Sequence, residues 1–186
     1  MQDFQSFTNA ILPELMKLIT AGCEYVMASR EPNQLIKRHS EPYISRWMLS
    51  RKAAVPVYDD PAWQTLGGTL GFIPSELENL YLHRYDRSDK DDPHCHPWAN
   101  MTLVVRGYYR EHCYESGTNK LIASRIRKVG DVVVRSADSV HAIVETSPDC
   151  VSLFGTFKKE KDWGFHTDNG FVHSSQYHNN SASFPG

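Results

Sequence analysis

Asp91-Asp92-Pro93-His94-Cys95-His96-Pro97-Trp98 is the stretch on which the reading of this chain turns. In an extended backbone successive side chains alternate faces, so His94 and His96 share one face and Cys95 takes the other. Two imidazoles side by side form half of a metal site, because a divalent ion with nitrogen ligands takes three or four donors at about 2.0–2.2 Å. An H-x-H pair alone is weak evidence, so the other half has to be found elsewhere in the chain.

A second stretch supplies it. From Gly130 to His141 the chain reads as a turn glycine, a strand (Val132, Val133, Val134, Arg135), a second turn through Ser136 and Asp138, and a histidine entering another strand. Taken together the two stretches resemble the motifs of the cupin family, G-x5-H-x-H-x3,4-E-x6-G and G-x5-P-x-G-x2-H-x3-N. His94, His96 and Gly107 fall on the two histidines and closing glycine of the first; Gly130 and His141 fall on the glycine and histidine of the second. The resemblance covers roughly residues 43–165. It implies an all-β core, a double-stranded β-helix or jelly-roll cupin barrel, here with an N-terminal helical appendage.

The chain departs from the family pattern at several positions. Ser88 replaces the opening glycine. The metal-binding glutamate would fall at Asn100 or Met101, neither a good ligand for a hard cation. Ser136 and Asp138 replace the second motif's proline and glycine, and Glu145 replaces its asparagine. The ligand set the resemblance implies is therefore His94, His96 and His141 without a carboxylate. Within the family that set is similar to the non-haem iron of thiol dioxygenases and diketone-cleaving dioxygenases. It argues against a facial triad of two histidines and one carboxylate. Fe²⁺ is the ion expected first; Zn²⁺, Ni²⁺ and Mn²⁺ suit the same ligands. Three neutral imidazoles leave the ion its full charge and open positions, which favours an anionic, chelating small-molecule substrate.

Working outward, residues 43–49, 80–85, 101–105, 107–114, 121–127, 131–135, 141–145 and 151–157 read as strands, with Ser116-Gly117-Thr118-Asn119 as a hairpin turn. Arg46 and Trp47 alternate on one strand, His83 and Arg84 on another. Barrel strands turn every second residue inward, so either Arg46 or Arg84 is a candidate clamp for a substrate anion. Trp98 is a candidate pocket wall and Asn100 a neutral hydrogen-bonding alternative. Trp163-Gly164-Phe165 reads as an aromatic, hinge-like loop. Asp89, Asp91 and Asp92 flank the histidine pair and read as solvated, with one of them a candidate acceptor behind a ligand imidazole. No general base is obvious beside the ligands.

The N-terminal segment carries an apolar helical stripe, Phe4, Ile11, Leu18 and Tyr25 with Leu12, Ile19 and Val26 beside it. Pro13 is expected to split it, with a second helix starting near Leu12 and running to Ala28. Pro32 and Pro42 bracket a connector, residues 59–75 read as a long loop, and the tail after Asn169 reads as frayed. The expected organisation is a helical segment 1–42, a cupin barrel 43–166 and a C-terminal tail 167–186.

The bulk properties are ordinary: 186 residues fit one domain, and a net charge of −2 gives no pull toward nucleic acid or membrane. The N-terminal stretch lacks the basic start and cleavage site of a signal peptide, so a cytoplasmic protein is expected. Cys23, Cys95, Cys113 and Cys150 form no C-x-x-C pair and read as free thiols. Sheet edges and the amphipathic helix lead to the expectation of a homodimer. The expected function is that of a metal-dependent oxygenase, an iron dioxygenase acting on a small anionic molecule. The alternatives are a non-catalytic metal- or ligand-binding cupin and a metal-dependent isomerase or lyase.

Overall fold

The computed structural model describes residues 2–38, 41–51, 77–88 and 91–180. The loop read at residues 59–75 lies outside them. In chain order the described elements are helix α1 (Gln2–Ser29), strands β1 (Gln34–Arg38), β2 (Glu41–Arg51), β3 (Asn79–Tyr85), β4 (Trp98–Arg106), β5 (Tyr108–Tyr114), β6 (Leu121–Lys128), β7 (Val132–Arg135), β8 (Val140–Thr146), β9 (Val151–Lys159), β10 (Gly164–Thr167) and β11 (Gly170–His173), and helix α2 (Ser174–Asn180). All eight strands read from alternation are present, and the hairpin turn falls where Gly117 and Asn119 take positive φ.

One antiparallel sheet has the order β1-β2-β3-β9-β4-β7; a second has β6-β5-β8, and β10-β11 form a hairpin. His94 bridges β8 and β10 through His141 and Phe165, which joins the hairpin to the second sheet. From β3 onward the chain crosses repeatedly between the sheets: His94, then β4, then β5 and β6, then β7, β8, β9 and β10 fall on alternate sides. That winding is a double-stranded β-helix, a jelly-roll barrel.

The crossing from β4 to β5 depends on Gly107, whose φ is +67°. A Cβ there would run into the Ser147 hydroxyl and come within 2.8 Å of Asp149 Oδ1 and 3.0 Å of the Cys150 backbone. Gly130 has φ +89° but nothing near its missing Cβ. Gly107→Ala should therefore cost roughly 2–4 kcal/mol, strain and overpacking together. Gly130→Ala should cost about 1–2 kcal/mol from backbone strain alone. Urea denaturation of the two variants checks the difference; equal losses would show that the crowding at Gly107 is relieved.

Alternation sorts the first sheet's side chains. Trp47, Leu80, Leu82, Val105, Val151 and Leu153 form its outer face and pack against Ile19, Cys23 and Val26 of α1. Trp47 Nε1 also donates to the Arg30 carbonyl at 2.9 Å, which pins the end of the helix. Two details of the helix differ from expectation. It runs unbroken through Pro13, which forgoes a single backbone hydrogen bond while the rest of the ladder continues. Among the described side chains the buried stripe is Ile19–Cys23–Val26, spaced i, i+4, i+7, whereas Leu18 and Tyr25, each one residue or about 100° around the helix from it, are exposed; Phe4, Ile11 and Leu12 lie outside the described side chains. The connector between Pro32 and Pro42 contains β1, which extends the sheet beside β2. The expected frayed tail instead forms β11 and α2 up to residue 180. Tyr177 stacks on Phe165 with ring centroids 3.7 Å apart and donates to Asp92 Oδ2 at 3.1 Å. These contacts tie the C-terminal helix to the segment that carries His94. Among the described residues no helix is long and apolar enough to cross a membrane.

Candidate metal centre

Residues 93–96 do not form a free strand. His94 N–H donates to the His141 carbonyl at 2.9 Å and His141 N–H donates to the His94 carbonyl at 3.0 Å, so two of the three histidines are locked backbone to backbone. On the other side Cys95 N–H reaches the Gly164 carbonyl at 3.1 Å and His166 N–H reaches the Pro93 carbonyl at 2.7 Å. Pro93 and Pro97 carry no N–H, so the ladder cannot propagate and only one bridging residue remains. The shared face of His94 and His96 is thus imposed by β8 and β10, not by a strand of their own.

The three rings surround a common point. Each pair of centroids among His94, His96 and His141 is 5.1 Å apart, and one nitrogen from each lies within 4.8 Å of the others. The Nε2 atoms of His96 and His141 are 2.9 Å apart. Two nitrogens at that spacing share a proton in metal-free protein, and they subtend roughly 90° at an ion about 2.1 Å from each. The donor set is three imidazoles with no carboxylate, and it fits a borderline divalent ion such as Fe²⁺ or Zn²⁺.

Behind His141 stands a buried charge network that the sequence reading missed. Glu111 Oε1 accepts from His141 Nδ1 at 3.0 Å and from Arg135 Nε at 2.6 Å, and Glu111 Oε2 accepts from Arg127 Nε at 2.9 Å. Arg135 further donates to Thr102 Oγ1 at 3.0 Å, Tyr109 Oη at 3.1 Å and Asn100 Oδ1 at 3.4 Å. Burial by itself would raise the Glu111 pKa, but the hydrogen bond from His141 and the charge of Arg135 outweigh it and hold the carboxyl down to about 2. An ionised carboxylate only accepts, so His141 carries its proton on Nδ1 and presents the Nε2 lone pair to the cluster. The signal that could have found this network is charge at inward register: Glu111 follows Tyr109 by two residues and Arg135 follows Val133 by two.

The histidines line a cavity of about 380 Å³. Of the candidates, Arg46 and Trp98 line it. Arg84 does not: it lies on the outer face near Trp47, donating to Asp86 Oδ1 and Ser45 Oγ. Alternation allowed either arginine inside, and the register of β2 against β3 turns Arg46 and His83 inward together. Asn100 is fully buried beneath the cavity as an acceptor for Arg135 and is not a wall residue. His83, Tyr85, Phe154 and Arg135 join the lining, as do Ser174 and Ser175 of α2. Trp163 lies over the cluster, its ring 6.3 Å from His94 and 6.4 Å from His96. Glu145, at the family's asparagine position, pairs with Arg110 on the surface.

Burial lowers the pKa of His83, His96 and His141 below 6.5; the positive charge of Arg46 adds to this at His83, and the neighbouring His141 and His94, followed by Arg135 and Arg46, add to it at His96. An unfolded chain takes up protons that these folded imidazoles refuse, so metal-free protein should lose stability as pH falls below about 6.5. Glu111 adds a second loss below about 4.5 as pH approaches its folded pKa of about 2. Urea midpoints at pH 7.5, 5.5 and 3.5 should descend in that order; a midpoint that rises from 7.5 to 5.5 would contradict buried neutral histidines.

No protein-family model matches this chain, and no curated protein matches it in sequence. Solved structures similar to it include Fe(II)-HppE with the alternative substrate (S)-1-HPP, at 11% identity over 69% of this chain and 57% of that one, TM-score 0.47. Another is KdgF from Halomonas sp., at 19% identity over 67% of this chain and 93% of that one, TM-score 0.40. A third is oxalate oxidase in complex with the substrate analogue glycolate, at 15% identity over 73% of this chain and 61% of that one, TM-score 0.44. The chain therefore spans less than two thirds of the HppE and oxalate oxidase chains. From its own sheet order and its three converging histidines, the chain is a jelly-roll barrel with a three-histidine cluster lining its cavity.

Proposed function

We propose that this protein is a metal-dependent cupin enzyme, a non-haem iron dioxygenase acting on a small anionic substrate. The observation that carries the reading is the convergence of His94, His96 and His141 on an open, mostly apolar cavity with no carboxylate among the ligating atoms. Bound Fe²⁺ would supply a Lewis acid and a one-electron redox couple for the activation of dioxygen.

The chain's own residues do the rest. Burial keeps the His96 and His141 imidazoles neutral and ready to donate. Glu111 fixes the tautomer and ring orientation of His141. Arg127 and Arg135 together outweigh the single charge of Glu111, so the network leaves a net positive charge beside the cavity that favours an anion. Trp98 and Trp163 supply apolar surface around the cluster and exclude water from it.

The test starts with the metal content of protein purified without added metal, followed by oxygen uptake of the Fe²⁺-loaded chain with thiols, diketones and small carboxylates. Substrate-dependent uptake with one class is the expected result. Iron-loaded, folded protein that consumes no oxygen with any of them would replace this reading with that of a non-catalytic binding cupin.

A further inference from the structure

Arg46 is a cation without a counter-ion. Among the described residues Arg84 has Asp86, Arg110 has Glu145, and Arg127 and Arg135 share Glu111, but Arg46 has no acidic partner. It is nevertheless held in place. Its Nε donates to His83 Nε2 at 2.9 Å, its Nη1 donates to Gln34 Oε1 at 3.3 Å, and its guanidinium carbon lies 4.6 Å from the centre of the Tyr81 ring. His83 is itself clamped between Tyr81 and Phe154, with ring centroids 5.9 and 5.0 Å away. Among the described residues the remaining nitrogen, Nη2, has no hydrogen-bond partner beside the bonds made by Nε and Nη1. A half-buried, pre-oriented guanidinium with an unused donor and no compensating charge is what a carboxylate completes. Burial also pushes the Arg46 pKa down, as expected for a cation that lacks its anion.

The space between Arg46 and the histidines has a definite character. Phe154 bridges them: its ring is 5.0 Å from that of His83 and 6.1 Å from that of His96. Phe154 thus presents one aromatic face to both the His83 that holds Arg46 and the His96 of the cluster. Tyr85, Tyr109, Trp98 and Ile143 continue the wall. A two- or three-carbon substrate would leave these faces in contact with water, whereas a flat ring would cover them and stack in offset or edge geometry.

We infer that the substrate is an aromatic carboxylate, its carboxylate seated on Arg46, its ring against Phe154, and a second oxygen or sulfur donor directed at His94, His96 and His141. This deepens the metal-enzyme reading and rests on it for the reactive end only; the anion subsite stands or falls without the ion.

The experiment uses the full chain with Zn²⁺, which is redox-silent. Its probes are phenylacetate, the neutral isostere phenylacetamide, and propionate, which has the charge without the ring. Binding is read by calorimetry and by quenching of tryptophan emission, and zinc stoichiometry is measured in the same samples. Phenylacetate should bind at least about tenfold more tightly than either comparison ligand. Arg46→Met should erase its advantage over phenylacetamide while zinc content stays at the wild-type value, and Arg46→Lys should restore part of it. Equal binding of phenylacetate and phenylacetamide by the wild-type chain would overturn the subsite with no variant needed, and so would equal binding of phenylacetate and propionate. A chain that holds zinc and shows no preference overturns the subsite and leaves the metal reading in place. One that holds no zinc and keeps the preference supports the subsite and removes the metal reading.

Discussion

His96→Ala is expected to abolish tight metal binding and leave the barrel folded. The three rings contribute one nitrogen each to a common point, so removing one leaves two donors and water. Loss of at least about 100-fold in affinity is expected, in proportion to the free energy that a structural ion draws from each of its ligands. His96 is half-buried and faces the cavity, whereas His94 and His141 are buried and paired through their backbones. Truncation at position 96 therefore tests coordination with the least damage to the fold. Metal stoichiometry after dialysis, with near-ultraviolet circular dichroism as the check on folding, should read none against one. In the wild-type chain, an ion at 100 times its dissociation constant should stabilise by about 2.7 kcal/mol, and that increment should vanish in the variant. Wild-type stoichiometry in a folded His96→Ala chain would remove the cluster as the metal site.

Glu111→Gln is expected to damage both stability and the metal site. Glu111 is fully buried and serves two arginines and one histidine at once. Its replacement leaves Arg135, itself buried, without its charge partner. Breaking a buried pair from one side costs about 3–5 kcal/mol. The amide also no longer compels the Nδ1 tautomer of His141, and a change of this kind behind a ligand lowers metal affinity about 10–100-fold. Urea denaturation measures the first effect and metal titration at neutral pH the second. Loss of stability with wild-type metal affinity would show that Glu111 balances charge without orienting His141. The acid limb of the stability profile below about pH 4.5 should flatten in the same variant, because the group responsible is gone.

Much of this protein follows from local pattern. Alternation along residues 43–49, 80–85, 101–105 and the later runs marks eight strands, because a half-buried strand must place apolar side chains on every second position. The spacing of His94, His96, Gly107, Gly130 and His141 marks the three histidines that the barrel brings together. A ligand pair needs one shared face, and the turns at Gly107 and Gly130 need positive φ, which glycine adopts without strain.

The choices left to tertiary structure all depend on which segments become neighbours. Arg46 and Arg84 are equivalent in sequence; only the pairing of β2 with β3 over the Ile19–Cys23–Val26 stripe of α1 turns Arg84 outward and Arg46 in. Glu111 has no local mark of its role, because its partners Arg127, Arg135 and His141 arrive from three other strands. The hairpin β10–β11 and the helix α2 look like loop and tail in sequence because their strands are four residues each and are held from outside, by His94 and Asp92. Sequence by itself determined the strands, the turns and the three histidines, since backbone periodicity and residue spacing are local properties. Which arginine faces the cavity, which carboxylate supports His141 and what closes the barrel were decided by non-local register, which no single segment encodes.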